Sequence, residues 1–133
     1  MERRLISSGS PHERVVGFSR AVRVDNRVVV AGTAPVMADG ADPPRDAYAQ
    51  AKRCLEIIER ALDEAGATLA DVVRTRVYLV RTSDFEEVGR AHGEAFSGIR
   101  PANTTLTVAE LVDPRWRVEI EAEAVVTSKG GSP

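Results

Sequence analysis

The last strong hydrophobic pattern in the chain alternates with a period of two. From Trp116 to Val126 the sequence reads WRVEIEAEAVV, and small or branched apolar residues alternate there with Glu119, Glu121 and Glu123. Alternation of this kind is typical of a β-strand with one face in a core, so the other face would carry a row of three carboxylates. Like charges along one strand repel each other, which predicts cationic partners on a neighbouring strand.

A second alternating segment could supply those partners. Between Asp71 and Val80 the sequence DVVRTRVYLV places one set of residues on an apolar face (Val73, Thr75, Val77 and Leu79) and another on a polar face (Arg74, Arg76 and Tyr78). If the two segments share a sheet, that sheet has an apolar face for helices and a charged face. The charged face is either solvated or buried in a subunit interface, and the pattern fits both alternatives.

Two segments have the spacing of amphipathic helices. Apolar residues recur at intervals of three and four from about Arg45 to Ala65, and Gly66 follows as a helix-ending residue. A second helix is predicted to begin after Ser83 or Asp84 as N-cap and to stop at Gly98.

The remaining segments predict strands and turns. Extended segments and turns are expected at Arg3–Ser7 (strand), Ser8–Pro11 (turn or loop), Phe18–Val24 and Arg27–Gly32 (a hairpin across Asp25-Asn26), and Asn103–Val108 (strand). The order is thus β-β-β-α-β-α-β-β. Two helices cannot cover both faces of such a sheet, so we expect an α+β domain with both helices on one face.

Composition narrows the class of protein. The chain has 133 residues, 43% of them hydrophobic and 29% charged, which suits one globular domain. A net charge of −2 and a pI near 5.7 do not support a nucleic-acid partner, which would need a basic stripe. One cysteine, no apolar stretch of signal-peptide type and no run long enough for a membrane span favour a cytoplasmic protein without membrane partners.

Candidate metal and nucleophile residues are few. His12 and His92 are the only histidines, and neither they nor Cys54 have metal-ligand spacing, so we expect no metal and no cofactor. Cys54 adjoins the apolar stripe of the first helix and is predicted to be a buried small hydrophobe. His92 is predicted to lie on the polar side of the second helix or at an interface.

Four segments together resemble the RidA/YjgF-type superfamily (reactive intermediate deaminase, also labelled endoribonuclease L-PSP). They are VGFSRAVRVDNRVVVAGTAPV (16–36), QAKRCLEIIERALDEAGATLADVVRTRVYL (50–79), FEEVGRAHGEAF (85–96), and RPANTTLTVAEL with VEIEAEAVV (100–126). The resemblance implies a chorismate-mutase-like fold in a RidA-like domain spanning residues 1–127, with 128–133 as a flexible C-terminal tail. It also implies a homotrimer whose sheets form a central barrel, with small-molecule pockets in the clefts between subunits.

The resemblance also implies a chemistry, the hydrolysis of enamines and imines such as 2-aminoacrylate to a keto acid and ammonia. The water-positioning catalytic glutamate of the family falls at Glu119. Its substrate-binding positions fall at Phe18 (an aromatic position), Gly32 and Thr33 (a turn), and Asn103, Thr104 and Thr105 (the carboxylate-binding segment).

The main departure from the family pattern is Asn103, which stands where an arginine normally clamps the substrate carboxylate. An amide brings no charge, and charge-assisted hydrogen bonds are about twice as strong as neutral ones. Arg20, two residues after Phe18, could supply the charge, or it could be an interface salt-bridge residue. Arg76 is a weaker substitute, because pairing with Glu121 or Glu123 would explain it. Glu119 is either catalytic or an arginine-paired barrel carboxylate.

Three functions are compatible with these residues. The first is a hydrolase or deaminase acting on an imine, an enamine or a related carbonyl compound. The second is a trimeric binding protein for a small metabolite, which the missing arginine clamp favours. The third is a nuclease or translation inhibitor, against which the acidic pI and the lack of a basic patch argue.

Overall fold

A computed structural model describes residues 2–127, which form one sheet with helices packed against it. The predicted tail at 128–133 lies outside the described residues. In chain order the elements are β1 (Arg3–Ile6), α1 (Pro11–Val16), β2 (Ala21–Val24), β3 (Arg27–Thr33), α2 (Ala47–Glu64), β4 (Val72–Leu79), α3 (Phe85–Phe96), β5 (Ala102–Thr107) and β6 (Val118–Val125).

The six strands lie in the order β1-β2-β3-β6-β4-β5. Neighbours are antiparallel except β4 and β5, which are parallel and are joined by α3, so the sheet is mixed. The predicted adjacency of the two alternating segments is confirmed, because Arg76 pairs with Glu121 and Tyr78 with Glu119 across β4 and β6.

The core lies between the sheet and the two long helices. The apolar residues of β6 (Val118, Ile120, Ala122 and Ala124) are at most 2% exposed. They face buried residues of α2 such as Ile58 and Leu62, and of α3 such as Phe96. Burying one such branched or aromatic side chain contributes about 1.5–3 kcal/mol, so this face holds both helices against the sheet. The expected α+β architecture, with both long helices on one face, is confirmed.

The structure adds a short helix, α1, directly after the predicted turn or loop at Ser8–Pro11, in a segment for which no element was predicted. Ser10 caps it by accepting a hydrogen bond from the His12 amide at 3.2 Å, Pro11 occupies the first helical position, and Gly17 ends it with a φ of 88°. The Glu13 side chain is buried and accepts a hydrogen bond from the Ser8 amide at 2.9 Å. The helix therefore fixes the segment that leads into β2.

A β-bulge in β4 determines which valine of that strand enters the core. The pairing of β4 with β6 shifts between Val72 and Arg74, so Val72 is buried while Val73 is 47% exposed. The prediction that Val73 shares the core face with Thr75 is therefore wrong. A bulge inserts one extra residue and reverses the alternation on one side of it.

Asp84 precedes α3 as predicted, but its side chain does not cap the helix. It is 3% exposed and forms a two-point ion pair with Arg117, with Oδ2–Nε at 3.0 Å and Oδ1–Nη2 at 2.7 Å. The Arg117 amide also donates to the buried Gln50 side chain at 2.7 Å. These bonds fasten α2 and α3 to the beginning of β6.

Candidate active site

A second bulge, in β3, brings the backbone close to the Glu119 side chain. The register with β6 shifts between Val30 and Thr33, which leaves Ala31 and Gly32 together opposite Glu121, two residues after Glu119. A Cβ atom on Gly32 would overlap the Glu119 Oε2 atom and lie 3.4 Å from its Cδ atom. Glycine therefore permits the close approach of the Glu119 carboxyl, as is common where a bulge adjoins a functional site.

The Glu119 carboxyl lines an open cavity of about 350 Å³ on the charged face of the sheet. The walls are Gly32, Tyr78, Val108, Glu110, Leu111, Glu119 and Glu121. A cavity of this size accommodates a small metabolite, and its polar groups are three carboxyls and one phenol.

Glu119 differs from the other two glutamates of β6 in having no partner. Glu121 accepts a hydrogen bond from the Tyr78 hydroxyl, and Glu123 pairs with Arg27 at 3.0 Å and Arg76 at 3.3 Å. Within residues 2–127, Glu119 forms no hydrogen bond and no ion pair within 4 Å. Structural pairing therefore explains Glu121 and Glu123 but not Glu119.

The surroundings of Glu119 favour its protonated form. Burial raises the pKa of this half-buried carboxyl above its ordinary value, the Arg20 charge opposes the shift, and the Glu121 charge adds to it. The hydrogen bond to Glu121 raises the pKa of Tyr78, so the phenol keeps its proton. A carboxyl whose pKa is shifted toward neutrality is suited to exchange protons with a substrate or a water molecule.

Arg20 contacts the β3 bulge through the Gly32 carbonyl. Its Nη2 atom donates to the Gly32 carbonyl at 2.5 Å, and its guanidinium carbon lies 5.9 Å from the centre of the Phe18 ring. Its Nε atom is buried without a hydrogen-bond partner among the described residues. Phe18, Arg20, Gly32 and Glu119 thus come together as one group, which we call the bulge cluster.

The other predicted substrate-binding residues divide between the two faces of the sheet. Thr104 is in register with Arg76 and so lies on the charged face, whereas Asn103 is in register with Thr75 and lies on the helix side with Thr105. Thr33 is fully buried, and its hydroxyl donates to the Ala31 carbonyl at 2.8 Å. One chain therefore does not bring Asn103 and Thr105 together with Glu119.

Asn103 and Thr105 instead join a hydrogen-bonded group between β5 and α3, which we call the amide cluster (His92, Thr75, Asn103 and Thr105). Asn103 Nδ2 donates to Thr75 Oγ1 at 3.0 Å, Thr105 Oγ1 donates to Asn103 Oδ1 at 2.9 Å, and His92 Nε2 lies 2.8 Å from Thr75 Oγ1. A cavity of about 90 Å³ opens beside it, with Phe85, Val88 and Gly89 in its wall.

The placement of His92 on the polar side of its helix was wrong. Its ring packs at 4.7 Å against the Phe96 ring and faces β4. The spacing of Val88, His92 and Phe96, four residues apart, is the signal that could have placed it on the buried face. Tyr78 and Glu110 were also missed as wall residues of the larger cavity, since their positions depend on strand register and loop path.

Cys54 is buried, and burial strongly raises the pKa of its thiol. The thiolate form that a nucleophile requires is therefore disfavoured. Within residues 2–127, no group of three His, Cys, Asp or Glu side chains could hold a metal ion. Among the helices of the same residues, none has the length and apolarity of a membrane span.

Gly32→Ala should separate the geometry of the bulge cluster from the stability of the fold. The new methyl group would displace the Glu119 carboxylate, whose flexible end can move, so we expect a stability loss of about 1 kcal/mol or less but at least a tenfold loss of any Glu119-dependent activity. Thermal unfolding and turnover measurements check this. Gly93→Ala is the control, because a Cβ atom there has open space and alanine favours the helix.

An unchanged turnover rate in Gly32→Ala would show that the position of the Glu119 carboxyl against the bulge is unimportant for activity.

Three comparisons with known proteins agree with this fold. The family described as Endoribonuclease L-PSP matches residues 10–126. An uncharacterised protein of Streptomyces coelicolor is 41% identical over 91% of this chain and 90% of its own length. The 2-iminobutanoate/2-iminopropanoate deaminase of mouse is 34% identical over 92% of this chain and 91% of its own length.

Among solved structures, a Mycobacterium tuberculosis member of the YjgF/YER057c/UK114 family superposes with a TM-score of 0.86 at 48% identity. The superposition covers 94% of this chain and all of the other.

Proposed function

The chain belongs to the Endoribonuclease L-PSP family, the RidA/YjgF superfamily, and from this we propose that it hydrolyses a small imine or enamine to a carbonyl compound and ammonia. The mouse relative carries the name of such a deaminase, which supports the reaction class. The observation that carries the proposal is the unpaired, half-buried Glu119 carboxyl against Gly32 in the larger cavity.

The reaction needs a base for water and an acid for nitrogen, and Glu119 can serve as both. The carbon attacked is that of the protonated imine. As carboxylate, Glu119 accepts a proton from water while the water oxygen bonds to this carbon, giving a neutral carbinolamine. As carboxylic acid it returns that proton to the amine nitrogen; the C–N bond then breaks, the C=O bond forms, and the hydroxyl proton passes to the departing ammonia. One water is consumed and one ammonium ion released. The raised pKa of Glu119 makes its protonated form more accessible than that of an ordinary carboxyl, which favours this role.

We propose further that the working form is a homotrimer of the chorismate-mutase-like type, with the charged faces of the sheets forming a central barrel. The bulge cluster and the amide cluster lie on opposite faces of one sheet, so they can share a ligand only across a subunit interface. The charged face also carries two apolar residues that are largely exposed in one chain, Val29 at 45% and Leu106 at 44%. Burial of these side chains would favour assembly.

Asn103 supports the alternative function, a protein that binds a small metabolite without turnover. The amide has no charge, and both its oxygen and one N–H are already engaged by Thr105 and Thr75. Arg20 is engaged by the Gly32 carbonyl. A substrate carboxylate would therefore find both of these groups already engaged within one chain, so weak binding of α-imino acids, or preference for an imine without a carboxylate, is expected.

The nuclease alternative has less support. RNA binding requires cationic groups free to meet phosphates, but Arg27 and Arg76 on the charged face are paired with Glu123, and the net charge is −2. The sole cysteine and the acidic pI are compatible with the cytoplasm, where we place the protein.

The test is an imine-hydrolysis assay in which an amino acid oxidase generates 2-iminopropanoate or 2-iminobutanoate, and a carboxylate-free imine forms the third substrate. Loss of imine beyond the buffer rate is the expected result for at least one substrate. Binding of the carbonyl products without turnover of any of the three would replace the hydrolase by the binding protein.

Sedimentation equilibrium provides the independent check of assembly. Three chains of 14.4 kDa are expected in one particle. A monomer that retains full activity would contradict the shared intersubunit site.

A further inference from the structure

The amide cluster contains a half-buried histidine, His92, that the proposed chemistry does not use. His92 is the inner end of a chain of hydrogen bonds that runs through Thr75 and Asn103 to Thr105. Thr105 and Asn103 form the outer end, at the mouth of the smaller cavity on the edge strand. The chain therefore connects a titratable ring in the interior with the side chains that would meet a ligand.

The direction of the hydrogen-bond chain follows from which atom donates each proton. Thr105 donates its only hydroxyl proton to Asn103 Oδ1, and Asn103 Nδ2 donates in turn to Thr75 Oγ1. Thr75 is fully buried, and the acceptor for its own proton is His92 Nε2 at 2.8 Å. With the Asn103 amide oriented in this way, a Nε2–H tautomer would leave the buried Thr75 proton without an acceptor, which is costly. In this orientation the imidazole is therefore neutral and carries its proton on Nδ1, whereas a Nε2–H ring would require the Asn103 amide to turn over.

We propose that His92 is a specificity-determining residue of the candidate site, because its neutral ring orients this chain so that the Thr105 and Asn103 oxygens face the ligand as hydrogen-bond acceptors. The site then favours ligands that present N–H donors, such as an ammonium, an amine or an imine N–H, over ligands that present a carboxylate. This choice of ligand class rests on the proposed function; the direction of the chain does not.

Protonation of His92 would reverse the chain. With both ring nitrogens donating, Nε2–H donates to Thr75, Thr75 donates to Asn103 Oδ1 after the amide has turned over, and Asn103 Nδ2 donates to Thr105. The Thr105 hydroxyl proton is then free to turn outward. The same two side chains would now present donors, which suit a carboxylate or a carbonyl oxygen.

Protonation of His92 alone should control the direction of this hydrogen-bond chain, because no other ionisable side chain lines the cavity beside it. The cavity beside it is lined from α3, β4 and β5 by residues without another ionisable side chain. Arg90 and Glu94 of α3 face Tyr48 of α2 instead, with the Arg90 guanidinium carbon 3.9 Å from its ring centre and Glu94 accepting from its hydroxyl at 2.5 Å. Burial lowers the pKa of His92, so the neutral ring prevails at neutral pH.

Nitrogen NMR on the histidine rings tests the chain without any ligand. In full-length protein labelled with ¹⁵N-histidine, His92 should show Nδ1–H and a bare Nε2 at pH 8, and the exposed His12 supplies the reference signal in the same spectrum. Thr75→Val should abolish this tautomer preference, whereas Thr75→Ser should restore it. A Nε2–H tautomer in the unmodified protein would overturn the proposal.

Ligand titrations test the consequence, with propylammonium and pyruvate as probes. They are carried out in the Glu119→Gln variant. This variant lacks the Glu119 charge, which would itself attract propylammonium and change with pH, and it should not turn over substrate. One hydrogen bond gained or lost is worth about a fivefold change in affinity. Propylammonium should therefore shift the Thr105 and Asn103 amide signals with about fivefold tighter binding than pyruvate at pH 8.

The preference should invert below the measured pKa of His92, and His92→Gln, which cannot titrate, should abolish the inversion. If Thr75→Val fails to fold, Thr75→Ala, which also removes the hydroxyl, takes its place in the histidine NMR experiment. A preference for pyruvate at pH 8, an inversion that persists in His92→Gln, or no binding of either probe would each contradict the proposed selection. Failure of the imine assay alone would leave these results unaffected and would count only against the hydrolase.

Discussion

Glu119→Gln should lower the rate of imine hydrolysis by a factor of about 10² to 10⁴, the range typical of a lost general acid–base group. The amide keeps the shape of the side chain and can still hold a water, but it cannot take a proton from it. The loss should therefore appear mainly in kcat, with little change in KM. Initial rates of imine loss measure this. Glu121→Gln is the matched control, because that carboxylate is already occupied by Tyr78.

The same substitution should make the fold slightly more stable at neutral pH. The pKa of Glu119 is raised on folding, so just above the ordinary glutamate value of 4.5 the folded state binds more protons than the unfolded state. The free energy of unfolding then falls as pH rises through that window, and the loss persists at pH 7. Glutamine removes this loss, so Tm should rise by roughly 1–4 °C. A lower Tm together with undiminished activity would mean that Glu119 is a structural carboxylate.

Arg117→Ala should destabilise the fold more than any substitution in the bulge cluster. It leaves the Asp84 carboxylate 3% exposed and without its two-point partner, and it removes a hydrogen bond from the guanidinium to the Arg45 carbonyl at 2.9 Å. Breaking a buried ion pair costs about 3–5 kcal/mol, and because the Arg117 side chain is 29% exposed we expect about 2–4 kcal/mol. Chemical denaturation measures the loss directly.

Arg115→Ala provides the comparison. Its ion pairs with Asp113 and Asp42 are similarly short, at 2.8 and 2.7 Å, but the Asp42 side chain is 90% exposed. Exposed pairs of this kind contribute at most about 1 kcal/mol. The double variant Asp84→Ala/Arg117→Ala should lose less than the sum of its single variants, since it leaves no unpaired charge. Equal losses for Arg115→Ala and Arg117→Ala would show that burial does not govern these pairs.

The helices and the paired charged strands could be predicted because each depends on a local period. The alternation in 116–126 and 71–80 indicated both faces of β4 and β6, and Gly66 correctly predicted the end of α2 with its φ of 83°. Helix α1 was missed although its Ser10-Pro11 start was a recognisable cap signal. Its apolar content was too low, and its six residues too few, for a period to be visible.

Which residues share the site depends on how neighbouring strands are aligned, and a single sequence does not reveal that register. Whether Asn103 lies on the same face as Glu119 depends on the register of β5 on β4 and of β4 on β6. Alternation within a strand fixes relative sides only inside that strand. Phe18, Gly32 and Glu119 of the bulge cluster were named through the family resemblance, and Arg20 through its position two residues after Phe18.

The position of β6 limits how much of this protein can fold during its synthesis. Among the described strands β6 comes last in the sequence, yet it lies between β3 and β4 near the middle of the sheet. Until Val125 has left the ribosome, β3 and β4 have no shared neighbour, and the apolar sides of α2 and α3 have an incomplete surface to cover. The middle of the sheet therefore cannot close before β6 is available, and the apolar surfaces left uncovered until then make the nascent chain prone to aggregation.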